Sequence, residues 1–209
     1  SEKALKRLER VKYLNGCCPS VKMLNDNMYS YPFIPGKLLS NVIEEDGLKE
    51  VLRYFGDYFC KEKFEKTDEF LSDCESMYRE KTYSRVKPWV GTMIDQITHV
   101  NGVKVEPIEE MLDKINWDEI YENAIPSRFH GDFQPENILY NKAYEGEEAF
   151  TLIDWRESFG KSIEVGDRYY DLGKLHHALI INGQFMLDKH YYVDESSDNA
   201  KVVYHAKSN

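Results

Sequence analysis

The segment from Pro126 to Trp155 constrains the fold of this chain more than any other part of the sequence. Short strand-like runs alternate there with polar loops, namely Arg128-Phe129, Ile138-Leu139-Tyr140 and Phe150-Thr151-Leu152-Ile153. Charged residues stand at the ends of these runs. The pattern predicts short strands paired as a hairpin, with the charged side chains brought close together.

The composition indicates a folded protein whose surface does not suit nucleic acid. Of the 209 residues, 42% are hydrophobic and 31% are charged, which is enough apolar material for one main domain. The net charge of −10 argues against a general nucleic-acid binder and favours cationic or neutral partners. No apolar run approaches the roughly 18–20 residues that cross a bilayer, so we expect no membrane insertion and a cytoplasmic location. The four cysteines lack a metal-ligand spacing and are predicted to be reduced thiols.

Most of the remaining sequence has helical periodicity. Apolar residues at three- and four-residue spacing predict helices over Glu2–Leu14, Asp46–Cys60, Thr67–Tyr83, a segment that opens at Pro107, and Tyr169–Ile181. Asp26-Asn27 is a turn-forming pair between two short apolar runs and predicts another hairpin. We therefore expect a fold of the α/β class, more finely α+β, that is mainly helical and carries short hairpins.

Asp132, Asn137 and Asp154 have the residue types and the spacing that phosphoryl transfer from ATP requires. That reaction needs a carboxylate that positions an attacking hydroxyl, and oxygen ligands that hold magnesium. Asn137 follows Asp132 after four intervening residues, so one loop can supply both a base and a ligand. Asp154 ends the next apolar run, and a hairpin would return it beside that loop. Carboxylate and amide oxygens suit Mg2+.

The sequence resembles the aminoglycoside phosphotransferase and choline kinase superfamily in three segments, which are HGDFQPENIL from His130 to Leu139, Ile153-Asp154-Trp155, and Gly166-Asp167 with Asp171-Leu172. The resemblance implies a protein-kinase-like fold, mostly its C-terminal lobe, with ATP and Mg2+ as cofactors. It also implies that Asp132 is the catalytic base and that Asn137 and Asp154 ligate Mg2+. His130 and Asp171 would support the catalytic loop.

The resemblance is looser upstream of this loop. Met28 to Leu39 is similar to the hinge that joins the two lobes of such kinases, and the similarity places Tyr31, Phe33 and Ile153 on the adenine side. It divides the chain into a remnant of the N-terminal lobe with the hinge, 1–36, and a C-terminal catalytic lobe, 37–209.

The phosphate-gripping parts of a small lobe are not found before the first helix. Glu9, or Glu2, is the candidate for the carboxylate that pairs with a phosphate-binding lysine. The Gly-rich loop and the strand that would bear this lysine do not precede it. We therefore expect the sequence to be a piece of a longer protein.

The acceptor of the phosphoryl group stays open from the sequence. Candidates are amino alcohols such as choline or ethanolamine, aminoglycosides, and sugars, including those used in surface-polysaccharide synthesis. The acidic composition leans toward a cationic acceptor, but Arg156 stands where many relatives carry an acid. Protein phosphorylation is disfavoured because H-G-D replaces the usual H-R-D and no D-F-G or A-P-E follows. Outside the enzymes, the alternative is a non-catalytic, pseudokinase-like binding module.

Overall fold

The structure is a computed structural model that describes residues 2–14, 16–42, 45–144, 146–181, 186–189, 191–196 and 198–204. At residues 45, 46, 146, 147 and 204 it describes the backbone alone. The chain forms two compact units. The first comprises Ser1–Cys74 and Ala124–Leu179, and the second comprises Glu75–Asn123 and Ile180–Asn209. The lobe boundary after residue 36 stays a prediction.

The described ranges contain helices and several small sheets, so the architecture is mixed α and β and compatible with the expected α+β class. The α-helices in these ranges are α1 (Glu2–Arg10), α2 (Glu45–Phe59), α3 (Asp68–Glu75), α4 (Lys81–Val86), α5 (Ile108–Asp113), α6 (Trp117–Asn123) and α7 (Arg168–Ile180). The strands are β1 (Lys22–Asn25), β2 (Met28–Ser30), β3 (Lys37–Leu38), β4 (His99–Val100), β5 (Val103–Lys104), β6 (Pro126–Ser127), β7 (Ile138–Tyr140), β8 (Phe150–Leu152), β9 (Gly166–Asp167), β10 (Tyr191–Ser196) and β11 (Asn199–Tyr204).

The helices follow the apolar periodicity of the sequence. In α2 the buried residues Val51, Phe55 and Phe59 recur every fourth position, which places them on one face of the helix. The helix predicted from Thr67 begins at Asp68, and the Thr67 hydroxyl caps it by accepting a hydrogen bond from the Phe70 amide at 3.2 Å. The first helix ends earlier than predicted, because Val11–Tyr13 tighten into a 3-10 turn after Arg10.

The hairpin of β7 and β8 belongs to a three-stranded antiparallel sheet in the order β3-β7-β8, with β7 at its centre. Leu139 lies opposite Leu38 on one side and opposite Thr151 on the other. The predicted pairing of these two runs is therefore confirmed, and so is the β1–β2 hairpin around Asp26-Asn27. Because β8 runs antiparallel to β7, it carries the chain back to the loop that precedes β7, which positions the site described below.

The strand predicted at Arg128-Phe129 lies two residues earlier in the structure. Pro126 and Ser127 form β6, which pairs antiparallel with Asp167 and Gly166 of β9. The carbonyl of Phe129 accepts a hydrogen bond from the guanidinium of Arg10 instead of from a neighbouring strand. The ladder therefore stops before Phe129, because its backbone acceptor is used by a side chain.

The core of the first unit lies directly beneath the loop that carries Asp132. The members of its apolar cluster are Leu14, Cys17, Cys18, Leu39, Val51, Tyr54, Phe55, Phe59, Phe133, Ile138, Ala149, Phe150, Leu152, Trp155 and Leu175. Phe133 is fully buried, with its ring 5.0 Å from that of Phe55. Because Phe133 follows Asp132 in the sequence, its burial fixes the loop onto α2.

The second unit consists of short helices and a separate sheet. Ser76–Glu80 form a π-helical turn that leads into α4, and Tyr83 of α4 packs against Trp117 of α6. The sheet has the order β10-β11-β4-β5, and a turn at Asn101-Gly102 joins β4 and β5. No helix in the described ranges is long and apolar enough to cross a membrane.

Candidate active site

A tight loop brings Asp132 and Asn137 into direct contact. The amide of Gln134 donates to the Asp132 carbonyl at 2.9 Å, and the amide of Asn137 donates to the Gln134 carbonyl at 2.8 Å. The side-chain nitrogen of Asn137 then donates to the carbonyl of Asp132 at 3.0 Å and to its Oδ2 at 3.2 Å. Because the nitrogen faces these two acceptors, the amide oxygen of Asn137 points away from Asp132.

The returning segment after β8 places Asp154 beside this loop. The amide of Ile153 donates to the Asn137 carbonyl at 2.9 Å, and the amide of Arg156 donates to the His130 carbonyl at 3.0 Å. The segment therefore spans the loop from its Asn137 end to its His130 end. Asp154 has a left-handed backbone with φ of 55°, and its side chain is 57% exposed. Its carboxylate is accessible, and the residue before it is hydrogen-bonded to Asn137.

His130 is a fully buried, neutral residue at the base of the loop. Burial lowers the pKa of His130 to about 3, and the positive charge of Arg10 adds to the lowering. Nδ1 accepts a hydrogen bond from the Asp132 amide at 3.2 Å, so the ring proton is on Nε2, which donates to the Ile153 carbonyl at 3.1 Å. Through these two bonds His130 joins the loop to the returning segment, and its one ring proton is held in the bond to Ile153.

Asp171, on α7, holds the loop from the other side. Its carboxylate accepts hydrogen bonds from the amides of His130 at 2.5 Å and Gly131 at 2.7 Å. Burial raises the pKa of Asp171 to about 6, against the lowering effect of these bonds and of Arg10. The Asp171 side chain thus fixes the backbone that immediately precedes Asp132.

Arg10 of α1 is a further functional residue, which the sequence reasoning missed. Its side chain is fully buried, and its guanidinium donates to the carbonyls of Phe129, His130, Arg156 and Ile163. The guanidinium also lies 3.7 Å from the centre of the Phe129 ring. Burial lowers the pKa of Arg10 to about 10, so it stays charged at pH 7.

The carboxylates of Asp132 and Asp154 are each paired with a cation. The ammonium of Lys174, on α7, forms an ion pair with Asp132, 2.8 Å from its Oδ1. The guanidinium of Arg7, on α1, lies 2.8 Å from Oδ1 of Asp154 and also donates to the Tyr29 hydroxyl at 3.2 Å. Lys174 follows Asp171 by three residues, so the helical spacing was a signal that both lie on one face.

The residues predicted for the adenine side are only partly brought to the site. Tyr31 packs with its ring 6.4 Å from that of Tyr29, whose hydroxyl is bonded to the same Arg7 guanidinium that binds Asp154. Ile153 is half-buried and adjoins Asp154 in the chain. Phe33 is 91% exposed, and no described contact joins it to the loop.

The candidates for the partner of a phosphate-binding lysine lie elsewhere on α1. Glu9 is exposed, and Glu2 forms an ion pair with Lys6 at 2.9 Å on its own helix. The α1 side chains that reach the site are Arg7 and Arg10, which are cations. The sequence signal for them was their three-residue spacing on one helix face.

The oxygen donors at the loop fit a magnesium ion whose remaining ligands are supplied by nucleotide phosphates. Asn137 offers an amide oxygen and Asp154 offers a carboxylate, and Mg2+ is commonly held by one or two such ligands together with substrate phosphates. Among the residues that the structure describes, no three His, Cys, Asp or Glu side chains form a group that could hold a metal alone. The donor set therefore suits a metal that arrives with a nucleotide.

Comparisons of the chain with protein-family models, with curated proteins and with solved structures find no match.

Proposed function

We propose that this chain is the catalytic part of an ATP-dependent phosphotransferase, with a protein-kinase-like fold, that phosphorylates a hydroxyl of a small molecule. The observation that carries the proposal is the convergence of Asp132, Asn137 and Asp154, from one tight loop and from the segment hydrogen-bonded across it. The resemblance to the aminoglycoside phosphotransferase and choline kinase superfamily assigns roles to the same three residues. A cytoplasmic location, where ATP is abundant, belongs to the proposal.

Asp132 acts as the base of the reaction. Its Oδ2 is oriented by Asn137 and its backbone is held by His130 and Asp171, so the carboxylate has a defined direction. As the acceptor oxygen bonds to the γ-phosphorus, its proton passes to Asp132, and the bond from that phosphorus to the β–γ bridging oxygen breaks to release ADP. Positioning of the hydroxyl is the main contribution, because the transition state is loose and needs little proton transfer early.

Asn137 and Asp154 would hold Mg2+, which neutralises the charge that develops on the phosphates. Arg7, on α1, would support magnesium binding by orienting the Asp154 carboxylate. The α1 backbone is anchored there by a 2.8 Å hydrogen bond from the Trp155 indole to the Arg7 carbonyl. Lys174 places a positive charge 2.8 Å from Oδ1 of Asp132 and so helps to fix the direction of that carboxylate. Each residue therefore acts on a named atom of the site.

One observation favours a second candidate, a non-catalytic pseudokinase-like binding module. Asp132 and Asp154 are already neutralised by Lys174 and Arg7, which is an arrangement that is complete without magnesium. In such a module the loop would serve only to stabilise the fold. Magnesium-dependent turnover separates the two candidates.

The test is phosphate transfer from Mg·ATP by the complete gene product, with choline, ethanolamine, aminoglycosides and sugars as acceptors. Asp132→Asn keeps the size of the side chain and removes the base, and we expect turnover to fall by about 10²- to 10⁴-fold. Asp57→Asn is the matched control, since Asp57 lies on α2 in an ion pair with Lys61 away from the loop. Equal activity of Asp132→Asn and the control, or failure of Mg·ATP to bind, would favour the binding module.

A further inference from the structure

Arg156 lies against the loop at the end opposite the magnesium ligands. In the returning segment, the Ile153 amide is bonded to the Asn137 carbonyl and the Arg156 amide to the His130 carbonyl. Arg156 therefore lies at the His130 end of the loop, away from Asn137. Its stem covers Gly131, where a Cβ atom would come within 2.7 Å of the Arg156 Cβ and 3.1 Å of its Cδ. Only glycine fits there, with φ of 89°, and the guanidinium thus begins beside the residue that adjoins Asp132.

Within the part of the chain that the structure describes, the Arg156 side chain forms no ion pair. Its backbone carbonyl is bound by Arg10, and its backbone amide by His130, but within the described ranges its Nε is buried without a hydrogen-bond partner. Lys174 and Arg7 each pair with a carboxylate, namely Asp132 and Asp154, and Arg10 donates to backbone carbonyls. A guanidinium whose Nε is buried without a partner costs free energy that a bound anion would recover.

We propose that Arg156 binds an anionic group of the acceptor, so that the substrate is a hydroxyl compound that also carries a phosphate, carboxylate or sulfate. This rests on the proposed phosphotransferase function and names the substrate class of the same site. A guanidinium presents a planar fork that binds such groups through two hydrogen bonds. Bound there, the anion fixes the acceptor beside Asp132 on the side away from the nucleotide phosphates. The local charge thus reverses the leaning toward a cationic acceptor that the net charge of the chain suggests.

The test is binding of sulfate to the complete gene product saturated with Mg2+ and a non-hydrolysable ATP analogue. The analogue fills the γ-phosphate position, so an anion that still binds occupies a different place. Titration calorimetry on the wild type and on Arg156→Gln should show a loss of sulfate affinity of roughly 10- to 100-fold, as expected for a charge-assisted pair of hydrogen bonds. Arg156→Lys, which keeps the charge and loses the fork, should give an intermediate affinity.

Arg53→Gln is the matched control, because Arg53 is exposed on α2 and its loss changes the net charge equally. Equal sulfate affinities for wild type and Arg156→Gln, or an equal loss in Arg53→Gln, would overturn the inference while leaving the phosphotransferase proposal intact. Failure of the analogue to bind in a Mg2+-dependent manner would overturn both. A transfer assay with glycerol 3-phosphate and 3-amino-1,2-propanediol gives a second readout, in which preference for the amine would equally refute an anionic acceptor.

Discussion

Replacing Arg10 with Met removes the interaction that ties α1 to the loop. Met has a comparable length and is apolar, so the volume is largely kept while the donors to Phe129, His130, Arg156 and Ile163 are lost. A buried carbonyl left without a donor costs about 1–3 kcal/mol. Relaxation and water entry will satisfy some of the four, so these losses will not simply add.

The substitution also removes a positive charge that lowers the pKa of Asp171. Asp171 keeps the hydrogen bonds from the amides of His130 and Gly131, so this loss is smaller than the loss of the four carbonyl contacts. At about 1–3 kcal/mol per carbonyl and with partial compensation, we expect the whole effect of Arg10→Met to be about 3–5 kcal/mol. This is a large share of the roughly 5–15 kcal/mol that stabilises a typical native protein.

Urea unfolding at pH 7 measures this loss directly. With a slope of about 2 kcal/mol per molar urea, the midpoint of Arg10→Met should fall by about 2 M. The matched control is Arg7→Met on the same helix, where the lost ion pair is with the 57% exposed Asp154 and is worth about 1 kcal/mol or less. A loss below about 1 kcal/mol for Arg10→Met, or equal losses for the two variants, would refute the central role given to Arg10.

Two further predictions concern pH and backbone packing. Because the pKa of His130 is depressed, its contribution to the free energy of unfolding is present above about pH 6.5 and is lost as the pH falls toward about 3. The raised pKa of Asp171 has the opposite effect, since it increases the free energy of unfolding as the pH falls from about 6 to about 4. The deficit of His130→Asn relative to wild type should therefore be about 2 kcal/mol smaller at pH 5 than at pH 7, and a pH-independent deficit would contradict the burial of a neutral ring. Gly160→Ala should destabilise by about 3 kcal/mol or more, because φ is 55° and the new Cβ would come within 2.2 Å of the Asp73 carboxylate. Gly56→Ala, in the open interior of α2, should instead stabilise by up to about 1 kcal/mol in the same thermal or urea assay.

The parts of the site that the sequence predicted are those whose contacts are local. Asp132 and Asn137 meet because the five-residue interval between them closes one tight turn, and Asp154 joins them because two adjacent apolar runs form a hairpin. The main helices were likewise predictable, since α2 buries residues at a regular helical spacing. Their ends were less predictable, as the 3-10 turn after Arg10 shows.

Arg10, Lys174 and Arg156 acquired their roles only in the tertiary structure. In the sequence each is a basic residue in a polar context, and such a residue is normally solvated because burying a charge is costly. Arg10 is buried nevertheless, because packing brings four carbonyls from three distant segments around its guanidinium. The sequence by itself therefore determined which residue types stand in the loop and at what spacing. Long-range packing decided which cations reach them, because compensation of a buried charge depends on groups far apart in the chain.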